Sequence, residues 1–169
     1  MLKQTIRADL VKAMKEGEEI TVSTLRMLNA AMVNKEKEKR AKIAKSELGL
    51  SENDLVKKSE LTDEEIIEVV FSEVKKREEA ALGFEKGRRI DLADKERKEK
   101  GTLKKYLPEQ LSEEAVVELV KEALAKTGAK EMKDMGKVMV ELMPKVKGKA
   151  DGGMVSRIVK EYLSREEHD

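Results

Sequence analysis

The sequence has no cysteine and no tryptophan, and aromatic residues make up only 2% of its 169 residues. Without cysteine there is no disulfide, no thiolate nucleophile and no cysteine-ligated zinc or iron–sulfur cluster, so a reducing cytoplasm is the expected location. The scarcity of aromatic side chains removes the base-stacking surfaces on which most single-strand binders depend. Any contact with nucleic acid must therefore be made to phosphate or to molecular shape.

The common catalytic signatures are missing as well, because no GxxxxGK[ST], GxGxxG, GxSxG or HExxH motif occurs. The one histidine, His168, is next to last in an acidic tail, where a terminal residue is expected rather than a general base. Acidic pairs at helical spacing, such as Glu64 and Glu68, lie opposite apolar stripes with nothing to bury them. No catalytic residue, metal ligand or cofactor is expected. There is also no apolar run long enough for a signal peptide or a membrane span.

What the sequence does contain is charge combined with helical periodicity. Charged residues make up 42% of the chain, and the 39% that is hydrophobic recurs at helical spacing. This pattern predicts an all-α fold of two parts, an N-terminal helical domain with long helices over residues 1–107 and a C-terminal three-helix bundle over 108–169. The boundary is placed where Pro108 ends one helix and Ser112 can cap the next.

The N-terminal part begins with two predicted helices. An apolar stripe every fourth residue from Leu2 to Met14 predicts a helix that ends near Gly17. A second helix begins near Thr21, and its apolar face fades into the charged run 35–40. Because the signs in that run are interleaved, we interpret it as a solvated helical extension in preference to a binding site.

Residues 46–61 show no sustained period and predict a loop with at most one helical turn. Thr62 and Glu65 then fit a capping box, and Leu61 with Ile66 fits a hydrophobic staple, so a helix should begin near residue 63 and end between residues 83 and 87. The stem of Arg77 is expected on its buried side. A weakly apolar helix follows over residues 90–107.

Three helices are predicted in the C-terminal part, over residues 115–126, 133–143 and 152–163, the second ended by Pro144. Four methionines lie on or beside the second of these helices: Met132, Met135, Met139 and Met143. They could form a pliable groove for a partner helix or belong to the core. We prefer the core, since Val138 and Leu142 share their stripe.

The most informative segment is basic. Residues 133–160 contain seven basic and three acidic residues, and Lys145, Lys147 and Lys149 fall in a predicted loop just before the last helix. Flexible lysines, glycine-exposed N–H groups and the dipole of that helix all favour a bound anion such as phosphate. Asp151 opposes this in part, because as N-cap it would occupy some of the donors. An ordinary cationic loop remains the alternative.

The motifs resemble one known family. Asp134-Met-Gly-Lys-Val-Met139 and Met143-Pro-Lys-Val-Lys-Gly-Lys-Ala-Asp-Gly152 resemble the C-terminal signature of the YqeY family, and Tyr106-Leu-Pro-Glu-Gln-Leu-Ser112 resembles its interdomain signature. In the N-terminal half the resemblance extends to Arg26-Met-Leu, Lys76-Arg77 and Gly87-Arg-Arg-Ile-Asp-Leu92. It implies a C-terminal part similar to the tail domain of the B subunit of the aspartyl/glutamyl-tRNA amidotransferase, which engages tRNA while catalysis occurs in other domains.

Three functional hypotheses follow, led by a non-catalytic module that binds tRNA or another structured RNA. Its candidate contacts are the basic residues and glycines of the segment 133–160, namely Lys145, Lys147, Lys149, Arg157, Lys137, Lys160, Gly148 and Gly152. The second hypothesis is an adaptor that docks on an amidotransferase, an aminoacyl-tRNA synthetase or another protein through its helices. The third, a carbon–nitrogen ligase with glutamine as amide donor, would describe the larger enzyme, since nothing here matches its catalytic domains.

Overall fold

The computed structural model describes residues 1–166, and over that range the fold is all-α. Eight α-helices and one short 3-10 turn, Met132–Asp134, occur there without any strand. The helices are α1 (Leu2–Glu16), α2 (Glu19–Ser46), α3 (Glu52–Lys58), α4 (Asp63–Lys86), α5 (Ile90–Lys104), α6 (Glu113–Thr127), α7 (Met135–Val146) and α8 (Gly152–Glu166). None of them is long and apolar enough to cross a membrane. His168 lies outside the described residues.

The chain divides into two compact units, Met1–Leu107 and Pro108–Asp169. In the first unit, α1, α2, α4 and α5 enclose an apolar core of ten buried side chains: Ile6, Leu25, Leu28, Met32, Leu61, Ile66, Val69, Val70, Val74 and Leu103. The predicted stripe of α1 contributes Ile6 to this core, whereas Met14 at its far end is 53% exposed. Burial of these stripes holds the helices together, because propensity alone stabilises helices of this length only marginally.

Local signals set several helix ends in the first unit, as predicted. Gly17 ends α1 in a left-handed conformation with φ 71°, which glycine adopts without strain. At the start of α4 the Thr62 side chain accepts a hydrogen bond from the Glu65 N–H, and the Glu65 carboxylate accepts one from the Thr62 N–H. This capping box is complete, and Leu61 and Ile66 beside it are both buried.

In the second unit, α6, α7 and α8 surround a separate core. Ser112 caps α6 by accepting a hydrogen bond from the Ala115 N–H at 3.2 Å. The buried side chains come from all three helices and the α6–α7 connection: Val116, Val120, Ala123, Leu124, Ala129, Val138, Leu142, Val146, Val155, Ile158, Val159 and Leu163. Met135 and Met139 pack against this core, whereas Met132 and Met143 are 36% and 43% exposed. The interpretation as core is therefore confirmed for Met135 and Met139.

Two sequence expectations are wrong. The segment 46–61 contains the seven-residue helix α3, which Ser51 caps through the Asp54 N–H. The expectation that Pro144 ends α7 also fails, because the helix continues to Val146. Burial of Val146, which is 3% exposed, stabilises the additional helical residues after Pro144. Because Pro144 has no N–H group, the carbonyl of Val140 lacks its helical donor. Val140 is 75% exposed. Water can satisfy that carbonyl.

Candidate nucleic-acid interface

The predicted phosphate site lies where α7 ends and α8 begins. Because α7 continues past Pro144, Lys145 lies in a helix and not in the predicted loop. Lys147 is the C-cap of α7 and is exposed, and Gly148 takes a left-handed conformation with φ 71°. The loop itself is therefore short, and it carries two exposed cations, Lys147 and Lys149.

Backbone hydrogen bonds fix the shape of this loop. The N–H groups of Lys149 and Ala150 both donate to the Val146 carbonyl at 3.0 Å, which closes the end of α7. The carbonyl of Lys149 accepts from the Leu111 N–H at 2.8 Å, and the carbonyl of Gly148 accepts from the Gln110 side-chain amide at 3.0 Å. The segment that precedes α6 thus holds the loop in place, and its lysine extends from a fixed backbone.

Asp151 caps α8, as the sequence indicated. Its Oδ1 accepts a hydrogen bond from the Met154 N–H at 2.8 Å, and its carbonyl accepts from the Val155 N–H at 2.9 Å. The first two residues of α8, Gly152 and Gly153, are exposed. N–H groups of a first helical turn have no acceptor within their own helix, so an anion could still reach this end of α8.

Several candidate cations already have carboxylate partners. Lys145 Nζ lies 3.0 Å from the Glu122 carboxylate on α6, and Lys137 Nζ lies 2.8 Å from the Asp134 carboxylate. The hydrogen bond from Lys137 is the main reason why the pKa of the Asp134 carboxyl is lowered. These pairs reduce the positive charge that the sequence alone predicts for the segment.

Arg157 bridges two carboxylates. Its Nη2 lies 2.7 Å from Glu113 on α6 and its Nη1 lies 3.1 Å from Glu161 on α8. Hydrogen bonds to Glu113 and then to Glu161 raise the pKa of the guanidinium, which stays charged at any physiological pH. The side chain is 53% exposed, so water competes with both contacts.

Lys149 and Lys160 differ from these residues. Both are exposed, and among the described side chains, which end at Ser164, neither has a carboxylate at ion-pair distance. Lys160 lies one turn beyond Arg157 on α8, where both border a shallow groove with Gly153, Ser156, Glu161 and Ser164. The structure thus retains two cations of the predicted set whose charge no described carboxylate offsets.

The first unit contains a second charged cluster, which the sequence did not predict. Arg77 on α4 is surrounded by the carboxylates of Glu73, Glu96 and Glu99, at distances of 3.7, 3.2 and 3.4 Å from the guanidinium nitrogens. Burial of its stem was expected, but the carboxylates from α5 were not. The spacing of Glu73 and Arg77 was the single local signal, because i,i+4 pairs of opposite sign meet on a helix. Arg77 also lies 3.6 Å from the sulfur of Met27 on α2.

Comparison with known proteins places the chain in a family. It is 31% identical over 114 residues to an uncharacterized protein of Schizosaccharomyces pombe, and the aligned region covers 66% of this chain and 76% of that protein. The model of the family described as Yqey-like protein matches residues 45–163, which include α3 to α7 and most of α8. The chain therefore belongs to the family of YqeY-like proteins.

Proposed function

We propose that this chain is a non-catalytic RNA-binding module that acts in the cytoplasm and whose ligand is tRNA or another structured RNA. The observation that carries the proposal is the pair of exposed cations, Lys149 and Lys160, that no described carboxylate neutralises. Lys149 lies before the first turn of α8 and Lys160 lies on the same helix. Phosphate groups are the anions that such an arrangement of ammonium groups and first-turn N–H groups suits.

The ion-paired candidates can join this contact at small cost. Exposed ion pairs contribute about 0–1 kcal/mol each, so exchanging a carboxylate partner for a phosphate is nearly neutral for the protein. The Arg157 pairs are about half exposed on both sides, and Lys137 is 71% exposed. Arginine in particular can bind phosphate through two parallel hydrogen bonds.

The mode of binding follows from composition. With two tyrosines, two phenylalanines and no tryptophan, the chain has few surfaces on which bases could stack. Contacts to the phosphate backbone position a protein on nucleic acid without reading its sequence. The module is therefore expected to recognise the shape and charge of folded RNA. The Met143–Gly152 signature resembles that of the YqeY family, and the similarity to the amidotransferase tail domain that this resemblance implies supports tRNA as the ligand.

Filter binding to tRNA tests the proposal. If Lys149, Lys160 and Arg157 each neutralise one phosphate, these three contacts should contribute roughly −2 to −3 to the slope of log affinity against log salt. Lys149→Gln with Lys160→Gln should weaken binding, whereas Lys121→Gln with Lys126→Gln should not, because those two lysines lie on α6, outside the basic segment 133–160. The absence of saturable binding at low salt, or an equal loss in both double variants, would refute the proposed site.

A second function, that of a protein adaptor, is favoured by one feature of α7. Val140 is 75% exposed and Met143 is 43% exposed on the side of this helix that faces away from the core. Exposed apolar side chains on one helix face are typical of docking surfaces for partner helices. The partner would be an amidotransferase, an aminoacyl-tRNA synthetase or another protein of that pathway.

Recovery of partners from lysate with and without nuclease separates the two functions. The adaptor function would be established by partners that remain bound after nuclease treatment. Such partners should be lost from the double variant Val140→Ser, Met143→Ser and retained by the double variant Lys149→Gln, Lys160→Gln. RNA-dependent recovery with the opposite response to these variants would favour the RNA-binding module.

A further inference from the structure

The second half of α2 contributes no buried side chain. The buried residues of this 28-residue helix are Thr24, Leu25, Leu28 and Met32, and none follows them. Residues 33–46, here called the α2 arm, extend for about 21 Å at 1.5 Å per residue. Helical stability in proteins comes mostly from packing of an apolar face. Packing against the core therefore does not account for the residue types found in the arm.

One side of the arm is occupied by polar contacts within the first unit. Lys39 Nζ lies 2.7 Å from the Glu65 carboxylate, and Arg40 Nε donates to the Ser59 hydroxyl at 3.2 Å. Lys3 from α1 pairs with the arm's Glu36 at 2.5 Å. These contacts hold the arm in a defined position and use one of its two carboxylates.

The other side carries charge that is not offset. Residues 35–45 contain six basic and two acidic residues, and the second acid, Glu38, lies 3.8 Å from Lys35. Lys37, Lys42 and Lys45 are exposed, and none has an ion-pair partner among the described residues. At about 100° per residue, the three positions fall within a sector of about 140° on the helix surface.

We propose that the α2 arm is a second contact for the phosphate backbone of RNA, made by Lys37, Lys42 and Lys45; this inference rests on the proposed RNA-binding function. The first and last of these lysines are eight residues apart, about 12 Å along the helix. A nucleic-acid duplex carries one phosphate charge per roughly 1.7 Å of its axis, taking the DNA value, so a phosphate is within reach of each lysine. Only Lys45 belongs to the residues that match the family model.

The composition of the exposed face favours nucleic acid over other polyanions. Apart from the lysines and Glu38, this sector offers Asn34 and Ala41. A membrane-binding helix needs large apolar side chains to insert, and a protein interface needs an anchor at its centre. The arm has neither. Stabilisation of the helix dipole explains cations only in the last turn, which includes Lys45 but not Lys37.

The test uses the full chain and measures tRNA binding by fluorescence anisotropy over a range of potassium chloride concentrations. The variant Lys37→Gln, Lys42→Gln, Lys45→Gln should make the salt slope less negative by roughly 2–3 and weaken binding at least tenfold at low salt. The control variant, Lys12→Gln, Lys121→Gln, Lys126→Gln, removes the same charge from lysines on α1 and α6, outside the α2 arm and the segment 133–160. It should change the slope by less than about 1.

A further variant has the opposite expected effect. Glu38→Gln removes the one carboxylate within the cationic sector and should strengthen binding, an outcome that misfolding cannot produce. If wild-type protein binds tRNA but the lysine variant keeps the same affinity and slope, the inference is overturned and the proposed function stands. If wild-type protein binds no RNA, both fail.

Two other outcomes separate the sites and the ligand classes. Loss of binding with the arm variant but not with Lys149→Gln and Lys160→Gln supports the arm and overturns the site in the second unit. If wild-type protein binds polyglutamate more tightly than tRNA at equal charge concentration, and the arm variant loses this binding, the arm recognises an acidic protein and the RNA inference is overturned.

Discussion

Replacement of Arg77 by methionine should destabilise the first unit strongly. The guanidinium lies within 3.7 Å of three carboxylates, and the side chains of Arg77, Glu73, Glu96 and Glu99 are 14%, 10%, 15% and 5% exposed. At an effective dielectric constant of about 20, each attraction is about 4–5 kcal/mol before desolvation. Methionine fills much of the space of the arginine stem but leaves three carboxylates beside which the described part of the chain places one other cation, Lys76.

The expected loss is about 3 kcal/mol. Removing one partner of a buried ion pair costs about 3–5 kcal/mol, and the residual exposure of Arg77 places the value at the lower end. Amide hydrogen exchange followed by mass spectrometry is the suitable assay, because it reports on α4 and α5 separately from α6 to α8. Exchange of the slowest amides in α4 and α5 should accelerate roughly 100-fold, since 1.4 kcal/mol corresponds to a factor of ten. The second unit serves as the internal control.

Arg97→Met is the matched control. Arg97 also contacts two carboxylates, Glu85 and Asp94, but its side chain is 44% exposed. Exposed ion pairs of this kind contribute about 0–1 kcal/mol, so the amide hydrogen exchange rates of the Arg97→Met variant should differ little from those of wild type. Adding Glu99→Gln to Arg77→Met should restore part of the lost stability by removing one unpaired charge. A loss below about 1 kcal/mol for Arg77→Met, or no recovery in the double variant, would refute the electrostatic explanation.

Three further predictions concern packing and protonation. Leu142→Ala, at a position with 0% exposure, should cost about 2–5 kcal/mol in the second unit and leave exchange in the first unit unchanged. Burial and then the 2.7 Å hydrogen bond to Asp9 raise the pKa of the Tyr106 phenol, so the tyrosinate absorbance that disappears with Tyr106→Phe should titrate well above pH 10; titration near pH 10 would contradict this. The hydrogen bond from Lys39 lowers the pKa of the Glu65 carboxyl in the folded protein. The pair therefore stabilises the fold at pH values above the unfolded-state pKa, and this contribution is lost as the pH falls through the folded-state pKa. In urea titrations Lys39→Met should therefore be less stable than wild type at pH 7, and the difference should shrink towards pH 2; a constant difference would exclude this linkage.

Much of the fold could be predicted from sequence because the decisive signals are local. Gly17, the capping box of Thr62 and Glu65, and Ser112 set helix ends through contacts within four residues, and all are found as predicted. The failure at Pro144 has the opposite cause. Proline's local preference predicts a helix end, but burial of Val146 against α6 and α8 outweighs it, and that burial depends on residues distant in sequence.

By itself, the sequence determined the class of the fold, the family and the location of the basic segments, since periodicity, motifs and charge can all be read along the chain. The tertiary structure alone decided which charges are neutralised. Lys145 pairs with a residue 23 positions away and Arg157 with one 44 positions away, while Lys149 has no such partner among the described residues. Ion pairs form wherever folding brings opposite charges within a few ångströms, and for residues on different helices sequence spacing does not encode that distance.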